Sequence, residues 1–158
     1  MNIKKTICIL ALFLLLSCGY EPRYSKQNLE NNYNFTIDKI TFLGENKINQ
    51  TLKNNLLSFT NNETKKIKYD LVINTNLIKE ITSKNKKGNP ETFSLKIITN
   101  VEISELNILK DSISFEENFE YKNKSNKFEL KQYEKEIENN LINKIVEKSI
   151  LYFSELQK

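Results

Sequence analysis

The feature that most constrains the fold is a fifteen-residue run of alternating apolar and polar residues, from Ile67 to Ile81. A period of two is typical of a β-strand with one buried face. A second run, from Phe93 to Ile103, alternates in the same way. The polar segment between them, Ser83 to Pro90, contains Gly88 and predicts a turn. The two runs therefore predict a long antiparallel hairpin, and the alternative is two shorter strands on each side of a bulge near residues 74–76.

Four further segments are periodic, and together they complete a sheet with two helices. Phe35 to Phe42 and Ile113 to Tyr121 alternate and predict strands, whereas Lys47 to Phe59 has apolar residues three and four apart and predicts a helix. A long C-terminal helix with the same spacing is predicted to begin after Asn126, with Glu129 completing a capping box. The sequence thus predicts an α+β fold of order β-α-β-β-β-α, a four-stranded mixed sheet with both helices packed on one face.

Charged residues interrupt two of the predicted apolar strand faces, at Lys79 and at Glu117. A turn is predicted at residues 107–112, between the second and third strands of the meander. The helical spacing places four charged residues on the outer face of the C-terminal helix: Glu134, Glu138, Lys144 and Lys148. The sheet face turned away from the helices is expected to be polar.

The N-terminal residues have the pattern of a secretory signal. Lys4 and Lys5 precede an apolar run of ten residues, from Ile7 to Leu16. Ten helical residues extend ~15 Å, about half of a ~30 Å hydrocarbon core, so a membrane-spanning helix is disfavoured.

The next residues, Leu15-Leu16-Ser17-Cys18, resemble the bacterial lipobox. The resemblance implies cleavage before Cys18 and a diacylglycerol on its sulfur, and two or three acyl chains make a lasting membrane anchor. The alternative is an ordinary secretory signal followed by a chance cysteine. We therefore divide the chain into a lipoprotein signal peptide at 1–17, a lipidated flexible tether at 18–34 and an α+β domain at 35–158.

The composition disfavours most kinds of catalytic, metal-binding and phosphate-binding site. Cys18 is the single cysteine after the signal peptide, and the chain has no histidine, so disulfides, imidazole bases and the commonest metal ligand are absent. The three glycines form no phosphate-binding loop. Removal of the signal peptide lowers the formal net charge from +4 to +2, and the lysines are scattered. We expect no enzyme activity, no cofactor, no metal site and no nucleic-acid partner.

Three lysines cluster at the predicted tip of the long hairpin: Lys84, Lys86 and Lys87. A solvated turn is the simplest interpretation. The functional alternative is a contact for an anionic lipid such as the phosphates of lipid A, because ammonium groups act as flexible point charges.

The segment from Cys18 to Tyr24, Cys-Gly-Tyr-Glu-Pro-Arg-Tyr, resembles the Cys-Gly-aromatic-x-Pro-x-Tyr start of the LPS-assembly lipoprotein LptE family. Other segments resemble that family in the same order: Ile48–Leu57 its first helix, Tyr69-Asp70-Leu71 a strand start, and Leu141–Leu156 its last helix. The family has an arginine before the third strand where this chain has Glu91-Thr92, so no lipopolysaccharide-contacting residue is carried over.

The resemblance implies two helices on a four-stranded sheet and a function without catalysis. It implies an outer-membrane lipoprotein on the periplasmic side that plugs an LptD-type β-barrel, assists its assembly and helps to deliver lipopolysaccharide to the outer leaflet. The partners it implies are that barrel, lipopolysaccharide and, through Cys18, the membrane. The alternative is a free-standing, periplasm-facing lipoprotein that binds a small ligand or scaffolds the cell envelope.

Overall fold

The computed structural model describes residues 33–156 of the chain, so the predicted signal peptide, Cys18 and nearly all of the predicted tether lie outside the described residues. The elements in chain order are β1 (Phe35–Gly44), α1 (Asn46–Leu56), a 3-10 turn (Leu57–Phe59), β2 (Ile67–Lys84), β3 (Pro90–Glu105), β4 (Ile108–Lys122) and α2 (Lys127–Glu155). This is the predicted β-α-β-β-β-α order.

The four strands form one mixed sheet in the order β1-β2-β3-β4. β1 runs parallel to β2, and the β2–β3 and β3–β4 pairs are antiparallel. The β2–β3 ladder is continuous from the Asp70–Ser104 pair to the Ile81–Phe93 pair, and its register shifts only beyond Ile81, beside the tip. The long hairpin is therefore confirmed, and the alternative with a bulge at residues 74–76 is wrong.

Both helices cover one face of the sheet, and the core lies between these layers. The residues that close this core are almost fully buried, among them Ile48 and Leu52 of α1, Leu71, Ile97 and Ile103 of the sheet, and Leu141, Ile145 and Phe153 of α2. Each such side chain contributes roughly 1.5–3 kcal/mol of hydrophobic free energy. The opposite sheet face exposes Asn74, Asn76, Asn100 and Glu102 together with Val72, so it is mostly polar, as predicted.

β1 leaves the sheet halfway along β2, at the level of Thr75. Gly44 makes this exit possible, because its φ is +85° and a Cβ there would lie 2.0 Å from the carbonyl oxygen of Thr75. The Glu45 amide donates to that oxygen at 3.2 Å. The Thr75 hydroxyl donates to Asn49 Oδ1 at 2.8 Å, and Asn49 Nδ2 donates to the Leu43 carbonyl at 3.1 Å.

This exit divides the molecule into two regions. The four-stranded half contains β1, α1 and β2 residues 67–75, and the three-stranded half contains β2 residues 76–84 with the facing parts of β3, β4 and α2. In the three-stranded half only α2 covers the sheet, so Ile81 is 48% exposed although it shares a strand face with buried Leu71.

The two charged interruptions of the strand faces are paired with α2. Lys79 Nζ lies 2.6 Å from Glu134 Oε1, and Glu117 pairs with Lys148. Glu138 is buried and pairs with Lys47 of α1. Glu134 and Glu138 therefore do not lie on the outer face of the helix as predicted, because they face Lys79 of the sheet and Lys47 of α1. Lys144 and Lys148 are exposed as predicted.

The turn predicted at residues 107–112 is also shorter than expected. β3 ends at Glu105 and β4 begins at Ile108, so the connection consists of Leu106 and Asn107 alone. Both residues have positive φ, +51° and +63°. The polar residues that suggested a longer turn belong to β4, an edge strand in which polar side chains face solvent.

Candidate functional site: the lysine end of the sheet

The tip of the β2–β3 hairpin is a well-ordered turn built around Asn85. Its side-chain Oδ1 accepts hydrogen bonds from the amides of Lys87 at 2.9 Å and Asn89 at 3.1 Å. Its carbonyl oxygen accepts from the Gly88 amide at 2.9 Å, and Gly88 has a φ of +80° with open space around it. The turn thus satisfies its own backbone and leaves the side chains of Lys86 and Lys87 exposed.

The loop between β4 and α2 lies beside this tip. The Asn123 amide donates to the Glu91 carbonyl at 2.8 Å, and Asn123 Nδ2 donates to the Pro90 carbonyl at 2.9 Å. Asn126 caps α2 as predicted, because its Oδ1 accepts from the amides of Phe128 at 3.0 Å and Glu129 at 3.4 Å. These contacts hold the loop and the start of α2 against the hairpin.

The juxtaposition gathers six lysines at one end of the sheet. They are the sequence-predicted Lys84, Lys86 and Lys87, together with Lys122 at the end of β4, Lys124 in the following loop and Lys127 at the start of α2. Five lysines form ion pairs within residues 33–156, and none of these six is among them. The positive end of the α2 dipole adds to the same potential. We call this region the lysine end.

Sequence reasoning missed Lys122, Lys124 and Lys127. The signal that identifies them is topological: in an antiparallel meander, the last residues of the third strand return to the tip of the first hairpin. Lys122 indeed pairs with Thr92, at the start of β3. The residues between β4 and α2 therefore had to lie at this end.

A shallow groove of about 630 Å³ runs along the lysine end. Its lining combines lysines with aromatic rings: Thr92, Phe119, Glu120, Tyr121, Lys122, Asn123, Lys124 and Tyr133. Lys124 Nζ lies 4.6 Å from the centre of the Tyr133 ring, a cation–π contact. A smaller groove of about 300 Å³ adjoins it on the hairpin side, and Asn123 and Lys124 line both. The surface therefore offers cations and apolar rings side by side.

One polar atom in the groove lining is unsatisfied. Asn123 Oδ1 is buried and accepts no hydrogen bond from any described residue. Nδ2 of the same amide is fixed on the Pro90 carbonyl, so this oxygen is a buried acceptor beneath the groove surface.

The wall of the groove is fixed by Glu134. Its Oε1 accepts from the Tyr121 hydroxyl at 2.8 Å and from Lys79 Nζ at 2.6 Å. Burial, and then the hydrogen bond to Glu134, raise the pKa of Tyr121 above its ordinary value. Tyr121 therefore stays neutral and serves as a fixed hydrogen-bond donor that joins β4 to α2.

Within the described range, no three side chains of the metal-ligating types His, Cys, Asp and Glu come together as a metal site. Neither helix between residues 33 and 156 combines the length and the hydrophobicity of a membrane-spanning segment. The other predicted site residue, Cys18, lies outside the described residues. What the geometry offers is binding of an anion that also carries apolar groups.

Solved structures of bacterial lipoproteins are similar to this fold, and two of them are compared with it. Rare lipoprotein B from Shewanella oneidensis superposes with a TM-score of 0.53 at 11% identity, over 77% of this chain and 100% of that one. Lipoprotein B from Nitrosomonas europaea superposes with a TM-score of 0.57 at 14% identity, over 88% of this chain and 92% of that one. At such identities the likeness shows the fold alone. No protein-family model matches the sequence, and no curated protein matches it.

Proposed function

We propose that this protein is an outer-membrane lipoprotein, anchored on the periplasmic side through acyl chains on Cys18. It plugs an LptD-type β-barrel, assists the assembly of that barrel and contacts lipopolysaccharide on its way to the outer leaflet. It acts by binding and by occupying space, without catalysis or a cofactor.

The lysine end is the observation that carries this proposal. Lipid A presents phosphates, sugar hydroxyls and amides, and acyl chains within one molecule. The six lysines without an ion pair match the phosphates, and the aromatic groove around Tyr133 matches an acyl chain. Ammonium groups close to a charged lipid surface contribute about 1 kcal/mol each, and salt screens this attraction.

The uncovered sheet face supports the role of a plug. It is mostly polar, with Asn74 and Asn100 facing each other and Lys96 paired with Glu116 at 2.7 Å, and Val72, Ile78 and Ile98 are the apolar residues among them. β2 alone has 18 residues, which at ~3.3 Å each extend ~60 Å. A long polar surface suits the polar lumen of a large outer-membrane barrel.

The names of the two similar structures support the membrane anchor. Both are lipoproteins by name, and both share the fold described above. An acyl anchor at Cys18 would raise the effective concentration of the domain near a membrane-embedded partner.

Co-purification from detergent-solubilised outer membranes tests the central claim. The full-length protein should be isolated with a β-barrel protein, and its deletion should leave that barrel misassembled. Isolation without a barrel, from cells whose barrels assemble normally, would instead support the free-standing envelope lipoprotein.

Binding of lipid A tests the role of the lysine end. Lys86→Glu combined with Lys124→Glu should weaken binding at least about tenfold, because each reversal removes one attraction and adds one repulsion. Lys53→Glu combined with Lys144→Glu is the matched control, since both residues are exposed elsewhere and the net charge change is identical. Equal losses in the two double variants would contradict a specific site.

A further inference from the structure

The connection between β3 and β4 exposes an unusual set of apolar side chains. Leu106 is 84% exposed, Ile108 66% and Leu109 61%. Turns ordinarily place Gly, Asn, Asp or Ser at such positions. We call residues 106–109 the apolar turn.

The backbone of the apolar turn makes its leucine more unusual. Leu106 and Asn107 both have positive φ, as in a type I′ turn, for which Asn, Asp and Gly are preferred. A leucine with this conformation costs roughly 1–2 kcal/mol. Because the side chain is exposed, no packing within the described part of the molecule compensates for that cost. A strained, exposed apolar residue indicates a contact outside the domain.

The apolar turn lies at the end of the domain where the chain from Cys18 enters. The last turn of α2 connects the two features: the Tyr152 hydroxyl donates to Asp111, just after the apolar turn, and the Phe153 ring lies 6.0 Å from the ring of Phe35, where β1 begins. The lysine end is at the far end of β2.

The length of the chain between Cys18 and Tyr33 limits how far the domain can lie from the predicted anchor. Tyr33 follows Cys18 by fifteen residues, which extend at most ~50 Å. Lys66 and Lys68, at the start of β2, are exposed near the same end and carry the charge that attracts anionic headgroups. A bilayer that holds acyl chains on Cys18 is therefore an apolar surface within reach of the apolar turn.

We propose that the apolar turn inserts into the interface of the bilayer that carries the acyl chains of Cys18. The proposal rests on the proposed lipid anchor. Leu106, Ile108 and Leu109 occupy the boundary between headgroups and acyl chains, and the domain is held with its lysine end pointing away from that surface. The anchor limits how far the domain can move, and the apolar turn fixes its orientation.

Single tryptophans test this insertion, because the chain contains none. The full-length, acylated protein with Leu106→Trp is reconstituted into phosphatidylethanolamine–phosphatidylglycerol vesicles, with and without brominated acyl chains. Bromine should remove most of the tryptophan fluorescence. Lys86→Trp, at the opposite end, is the matched control and should keep its fluorescence. Leu109→Trp repeats the measurement at a second position of the apolar turn if Leu106→Trp does not fold.

The outcomes separate this proposal from the proposed function. A protein that does not float with the vesicles lacks the anchor, which overturns the proposed function and this inference together. A protein that floats while its Leu106→Trp emission is unaffected by bromine overturns the insertion alone. Blue-shifted emission without bromine quenching also overturns it, because the apolar turn would then contact protein, such as a second copy or a barrel wall. Equal quenching of Lys86→Trp would overturn the proposed orientation.

Discussion

The four-stranded half and the three-stranded half share β2, β3, β4 and α2, yet they bury these elements to different degrees. On one face of β2, Leu71 is 1% exposed and Ile81 is 48% exposed. The difference arises at Gly44 and Thr75, where β1 leaves the sheet and α1 begins. Packing from two helices closes one half, whereas the other keeps a partly open surface beside the lysine end. The comparison teaches that the same strand pattern is buried or exposed according to whether a second helix covers it.

The largest effect on this comparison is expected from Gly44→Ala. The new Cβ would meet the Thr75 carbonyl oxygen at 2.0 Å in a backbone with a φ of +85°. Together, steric overlap and left-handed strain should lower the free energy of unfolding by about 3 kcal/mol or more. Urea denaturation of the full chain measures this change. Gly88→Ala is the control, because its φ is also positive but no atom lies within 4 Å of the new Cβ. This variant should lower the free energy of unfolding by only about 1 kcal/mol. Equal losses would show that the close approach at Thr75 is unimportant.

A smaller effect is expected from Asn49→Ala, which removes the bridge between Thr75 and the Leu43 carbonyl. Loss of these buried hydrogen bonds should cost about 1–2 kcal/mol. Amide hydrogen exchange should increase in β1 and α1 more than in β3, because the bridge belongs to the four-stranded half. Asn140→Ala, on an exposed part of α2, should leave exchange unchanged. Uniform exchange throughout the sheet would contradict a local role.

Tyr121→Phe examines the three-stranded half through its pH dependence. Because the folded pKa of Tyr121 is raised above the ordinary value of 10.0, the folded state keeps the proton that the unfolded state releases. The stabilisation from this group is therefore complete below pH 10 and is lost as the pH rises through the folded pKa. The free energy of unfolding should fall less steeply above about pH 10 in the variant than in the wild type. Parallel pH profiles of the wild type and the variant would show that the pKa of Tyr121 is the same in the folded and unfolded states.

The smallest effect on stability is expected from Lys127→Gln. Lys127 is the first residue of α2, where its charge opposes the helix dipole. Its neutralisation should raise the free energy of unfolding by about 0.3 kcal/mol while weakening lipid A binding. Lys135→Gln, in the interior of the same helix, should change neither quantity appreciably. A variant that loses both stability and binding would indicate a structural role for Lys127.

Sequence periodicity predicted the fold class, the order of the elements and the continuous β2–β3 hairpin. Periodicity failed to predict burial where the burial of a residue depends on which other strand or helix lies against it. Alternation places Ile81 with Leu71, but only the ends of β1 and α1 determine that Ile81 is exposed. Glu134 and Glu138 were expected to face solvent, because helical spacing does not show that Lys79 and Lys47 lie opposite them.

The candidate site was predicted only in part, for the same reason. Lys84, Lys86 and Lys87 are close in sequence, so their cluster was visible from the chain alone. Lys122, Lys124 and Lys127 joined it through the return of β4 to the hairpin tip, and the aromatic groove formed with them. The apolar turn was missed because leucine is a poor predictor of positive φ.

By itself the sequence determined which face of each element is apolar, where most of the strands and helices lie, and the signal-like N-terminus with Cys18. Local periodicity suffices for these properties because they depend on neighbours along the chain. Only the tertiary structure decided which end gathers the cations, which charges are paired and which apolar residues remain exposed. Those properties depend on contacts between segments far apart in sequence, and their strength depends on how much water the packing excludes.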